Sequence, residues 1–134
     1  MSSIFTKIIN SEIPAYKVAE NDDFIAFLDI FPVAEGHTLV VPKIETDYIF
    51  DLGDETYSGL FEFARKVALG LKRAVPCRKI GMAVLGLEVP HAHIHLVPMQ
   101  TEADLLNFSH KLQFSKEEFE QIREKIAAEI RLRP

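Results

Sequence analysis

Histidines occupy every second position of His91-Ala92-His93-Ile94-His95, and the residues between and after them, through Leu96 and Val97 to Pro98, are apolar. The pattern predicts a strand whose pleat sends all three imidazoles to one face, about 6 to 7 Å apart for a rise of about 3.3 Å per residue. Apolar side chains then fill the opposite face. Burying three imidazoles without partners is costly, which weakens the reading of them as satisfied or surface histidines and favours a site. Near neutral pH imidazole is partly a nucleophile and partly a proton donor. Such a row can attack an electrophile, stabilise developing charge and protonate a leaving group, and phosphorus and acyl carbon are its natural targets. The spacing also allows a zinc site, since two histidines at i, i+2 on a strand can share the ion with a ligand from a neighbouring strand.

Composition narrows the partners. Fifteen basic and twenty acidic residues in a chain of 134 give a formal charge of −5, which argues against general attraction to nucleic acid. A small anionic ligand then needs a local source of positive potential. The single cysteine, Cys77, follows Pro76 and precedes Arg78-Lys79; it makes no internal disulfide and leaves no cysteine pair for a structural zinc. No apolar run approaches a membrane span, and Met1-Ser2-Ser3-Ile4-Phe5-Thr6-Lys7 lacks a basic segment followed by a long apolar one. These features predict a soluble, cytoplasmic chain with no membrane or nucleic-acid partner. The length predicts one domain over residues 1–134.

Ser2 or Ser3 is placed to cap a short helix whose apolar face is Ile4, Phe5, Ile8 and Ile9 and which Pro14 stops. Residues 16–20 and 24–30 read as a hairpin around Asn21-Asp22-Asp23, and His37 to Val41 as another strand, ended by Pro42. From Asp54, a candidate cap, to about Ala74 apolar residues recur at helical spacing in Leu60, Phe63, Ala64, Val67 and Leu71. Lys79 to Leu85 reads as a strand, and the short connection Gly86-Leu87-Glu88-Val89-Pro90 makes it an antiparallel neighbour of the histidine strand. A short helix is expected over Ala103 to Phe108. Ser115 to Glu118 matches a capping box ahead of a final helix with Phe119, Ile122, Ile126 and Ile130 on one stripe. The class is α+β, a mainly antiparallel sheet of about five strands with one long central helix and a C-terminal helix.

The segment His91 to Val97 matches the His-φ-His-φ-His-φ-φ signature, with φ apolar, of the histidine triad (HIT) superfamily, and other segments resemble that family in the same order. They are Ile4 to Ile9, Glu12 to Ala15, Phe27 to Pro32 and Gly36 to Lys43, while the last third resembles the family only loosely, which implies a core of about residues 3–100 and a helical extension of about 101–134. The resemblance implies a HIT-like fold, a homodimer whose sheets join, and hydrolase or transferase chemistry at the α-phosphorus of a purine nucleotide with no cofactor required. It implies that His93 is the nucleophile forming a covalent nucleotidyl intermediate, that His95 sits by the phosphate and leaving group, that His91 orders the site and that His37 supports the triad. Asp29 matches the carboxylate that holds the ribose hydroxyls, and Ile13, Phe27, Leu28 and Ile30 match the base pocket. A third histidine, rather than the glutamine of the nucleotidyl-transferring branch, favours hydrolysis.

Two departures bear on substrate. Leu85 stands where the family's hydrolases commonly have asparagine, and Glu88 stands in a shortened loop where a hydroxyl residue normally contacts phosphate or leaving group. A carboxylate beside an anionic phosphate is repulsive unless protonated, turned away or bridged, and it suits a basic leaving group. The expected activity is hydrolysis of a purine nucleoside phosphoramidate or related adenylated compound. The competing expectations are a dinucleoside polyphosphate hydrolase, a nucleotide-binding or scaffold protein with little turnover, and a zinc protein using the triad as ligands.

Overall fold

Adjacent residues of a strand face opposite sides of its sheet, and in the segment from Phe24 to Leu28 both sides are buried. The sheet must therefore be covered on two faces. A computed structural model describes residues 2–133 and has this architecture. Its elements are α1 (Ile4–Ile9), β1 (Lys17–Glu20), β2 (Phe24–Leu28), β3 (Thr38–Pro42), α2 (Asp54–Ala74), β4 (Lys79–Ala83), β5 (Ile94–Met99), α3 (Ala103–Leu106) and α4 (Lys116–Ala127). The five strands form one sheet in the order β1-β2-β3-β5-β4, antiparallel throughout.

The two faces divide the apolar residues by parity. Phe24, Ala26 and Leu28 of β2, Val40 of β3, and Ile94 and Leu96 of β5 pack with Leu60, Phe63, Ala64, Val67 and Leu71 of α2 and with Phe119, Ile122 and Ile126 of α4. Ile25, Phe27, Leu39 and Val41 pack on the other side with Phe5 and Ile8 of the short α1. The long helices thus cover one face broadly and α1 covers the other only in part. That part lies against the histidines.

Several local expectations are refined. The paired strand begins at Ile94, so His91 and His93 precede the ladder, although Ala92 still faces the helices and the alternation continues. The cap of α2 is Gly53, with no side-chain cap bond, in place of Asp54. Pro42 is the last residue of β3, β4 stops at Ala83, and α3 stops at Leu106. Helix α1 ends before Pro14, at Asn10, because Ser11 takes a left-handed φ of 61°. The capping box of α4 is present: the Glu118 N–H donates to Ser115 Oγ, and the Ser115 N–H to the Glu118 carboxylate.

Gly36 turns the chain into β3 with φ 89°, and a Cβ there would stand 3.1 Å from Leu71 Cδ1 and 3.1 Å from Val75 Cγ2. The turn immediately precedes His37, so its shape sets where that imidazole enters the sheet. Gly36→Ala combines left-handed strain with overpacking and should lower the unfolding free energy by about 2–4 kcal/mol. At Gly86, with φ 73°, an added Cβ would meet nothing within 4 Å, so a substitution there carries the strain alone. Gly86→Ala should cost only about 1 kcal/mol, and parallel urea titrations check the difference.

Candidate active site

Backbone groups decide the protonation of each histidine. A peptide N–H can only donate, and the N–H of Val33 donates to His37 Nδ1 at 3.1 Å. A neutral His37 therefore carries its proton on Nε2, which stands 2.9 Å from His95 Nδ1 and donates to it. His95 in turn must carry its proton on Nε2. A carbonyl can only accept, so the contact of His93 Nδ1 with the His91 carbonyl at 2.7 Å places the proton on Nδ1 and leaves a lone pair on Nε2. The imidazoles of His93 and His95, with ring centroids 4.9 Å apart, thus offer opposite functions: a lone pair on one and an N–H on the other.

His91 is engaged at both nitrogens. Its Nε2 donates to the Pro42 carbonyl at 2.8 Å, and its Nδ1 accepts from the Ser3 hydroxyl at 2.7 Å. Ser3 also accepts the Thr6 N–H as the cap of α1, while Glu45 accepts the Ser3 N–H at 2.7 Å and the Thr6 hydroxyl at 2.6 Å. His91 is fully buried and has no nitrogen left for a ligand, so it acts as a strut between the start of the chain, β3 and the other histidines. Among the described residues no buried side-chain nitrogen or oxygen lacks a partner. The Nε2 atoms of His93 and His95 are the ones left over for chemistry.

Burial holds the imidazoles of His37, His93 and His95 neutral. It lowers His37 to about 3, aided by His95 and Lys111, and lowers His95 to about 4, aided by His93 and Lys111. His93 is also lowered by burial, although its bond to the His91 carbonyl works the other way. Phe5 closes the site from the α1 side, its ring edge-on to His93 with centroids 4.9 Å apart. Asp29 lies at the opening; burial raises its carboxyl above the usual value, the Phe31 N–H and Lys111 oppose this, and Glu88 adds to it. The His37 Nε2 to Asp29 distance of 3.6 Å joins a carboxylate to a neutral ring and is no ion pair.

Asp29, His37 and His95 bring one ligand atom each within 4.8 Å of one another, which is close enough to consider a cation. Coordination by His37 Nε2 would move its proton to Nδ1, directly against the Val33 N–H. His91 has no free nitrogen, and His93 offers one. The hydrogen bonds fit protons better than a metal.

The remaining expected residues divide by face. Phe27 and Ile13 pack on the histidine side with Phe5. Leu28, expected beside a base, points instead into the helix-covered core, because the pleat cannot send both Phe27 and its neighbour to one face. Ile30 is exposed beside Asp29, and Glu88 is exposed on the loop before the triad, with its charge acting on Asp29. Sequence reasoning misses several participants, among them the Val33 N–H and the Pro42 carbonyl. Thr6 and Glu45 carry no signal of their own, and Phe108 and Lys111 lie in the stretch where the resemblance is loose. Ser3 is legible as a cap, but its bond across 88 positions to His91 is not.

Comparison with known proteins places this arrangement. The HIT domain family matches residues 10–102. An uncharacterized HIT-like protein of Borreliella burgdorferi is 35% identical, with 95% of this chain and 97% of that protein covered. An adenosine 5'-monophosphoramidase of Schizosaccharomyces pombe is 33% identical, with 98% of this chain and 100% of that protein covered. The crystal structure of a Hit-like protein involved in cell-cycle regulation from Bartonella henselae superposes with a TM-score of 0.85 at 32% identity, covering 96% of each chain.

Neutral burial makes stability depend on pH. The unfolded chain binds protons at its histidines near pH 6.5 while folded His37 and His95 resist until about 3 and about 4. Their contribution is therefore full above pH 6.5 and is lost as pH falls from there toward 4. The slope should be on the order of 1 kcal/mol per pH unit for each group. Urea unfolding at stepped pH should show this slope, and His37→Gln should flatten it. Ser3→Ala removes the donor to buried His91 Nδ1 and should cost about 1–3 kcal/mol by the same measurement.

Proposed function

The chain belongs to the HIT family, and from that membership we propose that it is a nucleotide hydrolase acting at the α-phosphorus of a purine nucleoside phosphoramidate or related adenylated compound. The observation that carries the reading is the pair of complementary imidazoles, a lone pair at His93 Nε2 beside an N–H at His95 Nε2. The activity in the name of the Schizosaccharomyces pombe relative supports a phosphorus–nitrogen bond as the one broken.

In the proposed reaction the lone pair of His93 Nε2 forms a bond to phosphorus while the bond to the leaving nitrogen breaks, and that electron pair goes to the nitrogen. The Nε2–H of neutral His95 donates a hydrogen bond at the leaving group, and a proton from solvent completes the departing amine, so His95 keeps its bond from His37. Water then attacks phosphorus, the His93–phosphorus bond breaks, its electron pair returns to Nε2, and the proton of water passes to solvent. The sum is phosphoramidate plus water giving nucleoside monophosphate plus amine. His37 acts as a positioning residue, because its Nε2–H fixes which nitrogen of His95 faces the substrate. His91 positions His93 through its carbonyl. Asp29 would accept the ribose hydroxyls, and Phe27, Ile13 and Ile30 would wall the base. Glu88, at the rim, would favour a basic leaving group such as a lysine amine. No step needs a metal.

A homodimer is part of the proposal. β4 is an edge strand, and Met82, with Val84 and Leu85 just beyond it, is exposed there. A strictly monomeric mass at micromolar concentration would count against it.

Phosphorus NMR of chelator-treated protein with adenosine phosphoramidate tests the chemistry. The parent should release AMP, and His93→Ala should be slower by at least about a thousandfold. Activity that disappears with the chelator and returns with zinc would overturn the metal-free mechanism.

A further inference from the structure

An acidic protein that binds a phosphate must place a cation at the site, and the fixed charges at the rim, Asp29 and Glu88, have the wrong sign. The stretch between α3 and α4, beyond the residues that match the HIT family, supplies one. It crosses the histidine pair. The Phe108 ring stands edge-on to His95 with centroids 5.0 Å apart and to His37 with centroids 5.5 Å apart. The Leu112 N–H fastens the stretch to the Pro32 carbonyl at 2.7 Å. Between these anchors Lys111 holds its Nζ 5.1 Å from the centroid of the Phe108 ring. Among the described residues it forms no ion pair.

We infer that Lys111, carried on the Phe108 ring, is the cation that receives the phosphate of the nucleotide. The inference rests on the nucleotide reading above and adds a specificity-determining residue to it. Three observations support it. The ammonium is close enough for its charge to act on Asp29, His37 and His95 alike. It is exposed and without a carboxylate, so a phosphate gains its charge without first breaking an ion pair. A ring face holds an ammonium only weakly at an exposed site, so the cation can be transferred to a stronger acceptor. Phe108 contributes separately by covering one edge of the His37–His95 pair, which strengthens electrostatic interactions there by excluding water. Ligands with a phosphate should therefore be distinguished from the bare nucleoside by a residue that lies outside the matched domain.

Calorimetry with AMP and with adenosine, on the parent, Lys111→Gln and Lys111→Arg, tests this, with phosphoramidate hydrolysis measured on the same samples. Lys111 is exposed, so neither substitution disturbs the core. Lys111→Gln should weaken AMP about tenfold, leave adenosine unchanged and flatten the salt dependence of AMP binding, while Lys111→Arg should retain most of the affinity. Equal AMP affinity in parent and Lys111→Gln, with hydrolysis intact, would overturn the role of Lys111 and leave the function standing. AMP binding that depends on Lys111 in a parent that does not hydrolyse would do the reverse. A parent that binds no AMP would overturn both.

Discussion

The peptide N–H of Val33 has no choice of role, and the chemistry of the site follows from that. Because it can only donate, His37 must present its own proton from the far side of the ring, and His95 must receive that proton and present another toward solvent. A carbonyl with equally little choice, that of His91, fixes His93 in the opposite sense. Two imidazoles of the same residue type, on one face of one segment, are thereby made different. Neither assignment relies on a charged neighbour, and burial keeps the rings neutral, so the distinction holds at neutral pH without an ion to maintain it.

The sheet makes this possible by giving its faces unequal cover. The α2 and α4 side is a broad apolar layer, and it supplies the burial that the fold needs. The α1 side is a small cluster around Phe5 and Phe27, and the polar rings occupy the remainder. A second long helix there would bury the histidines without access, and none at all would leave them solvated and ordinary in their proton affinity. The short helix also delivers Ser3 to His91, so one element both seals the site and satisfies its innermost ring.

Most of the architecture is legible in the sequence because it follows from local periodicity. The span of α2, the hairpin of β1 and β2, the antiparallel partner of the histidine strand and the capping box at Ser115 all come from patterns within a few residues. The histidine triad itself is legible for the same reason. What escapes reading depends on contacts distant in sequence. The pairing of Ser3 with His91 and of Leu112 with Pro32 has no local signature. Leu28 is misplaced by resemblance because a match to a family segment names residues without stating which side of the pleat each one takes. The start of β5 at Ile94 is invisible because alternation persists after hydrogen bonding between strands has stopped.

The loop from Val84 to Glu88 stands apart from this scaffold, whereas Val89 behind it packs beside Phe5 and Phe27 and its carbonyl accepts the His91 N–H at 2.8 Å. The loop's residues are mostly exposed, Gly86 turns in open space, and the bonds that define the four imidazoles come from elsewhere: Val33, Ser3, Pro42 and the chain at His91 itself. Sequence change in the loop can therefore accumulate without retuning the reactive groups. The protein is divided into a fixed engine and a rim open to drift, so the surroundings of the site can change through single substitutions rather than coordinated ones.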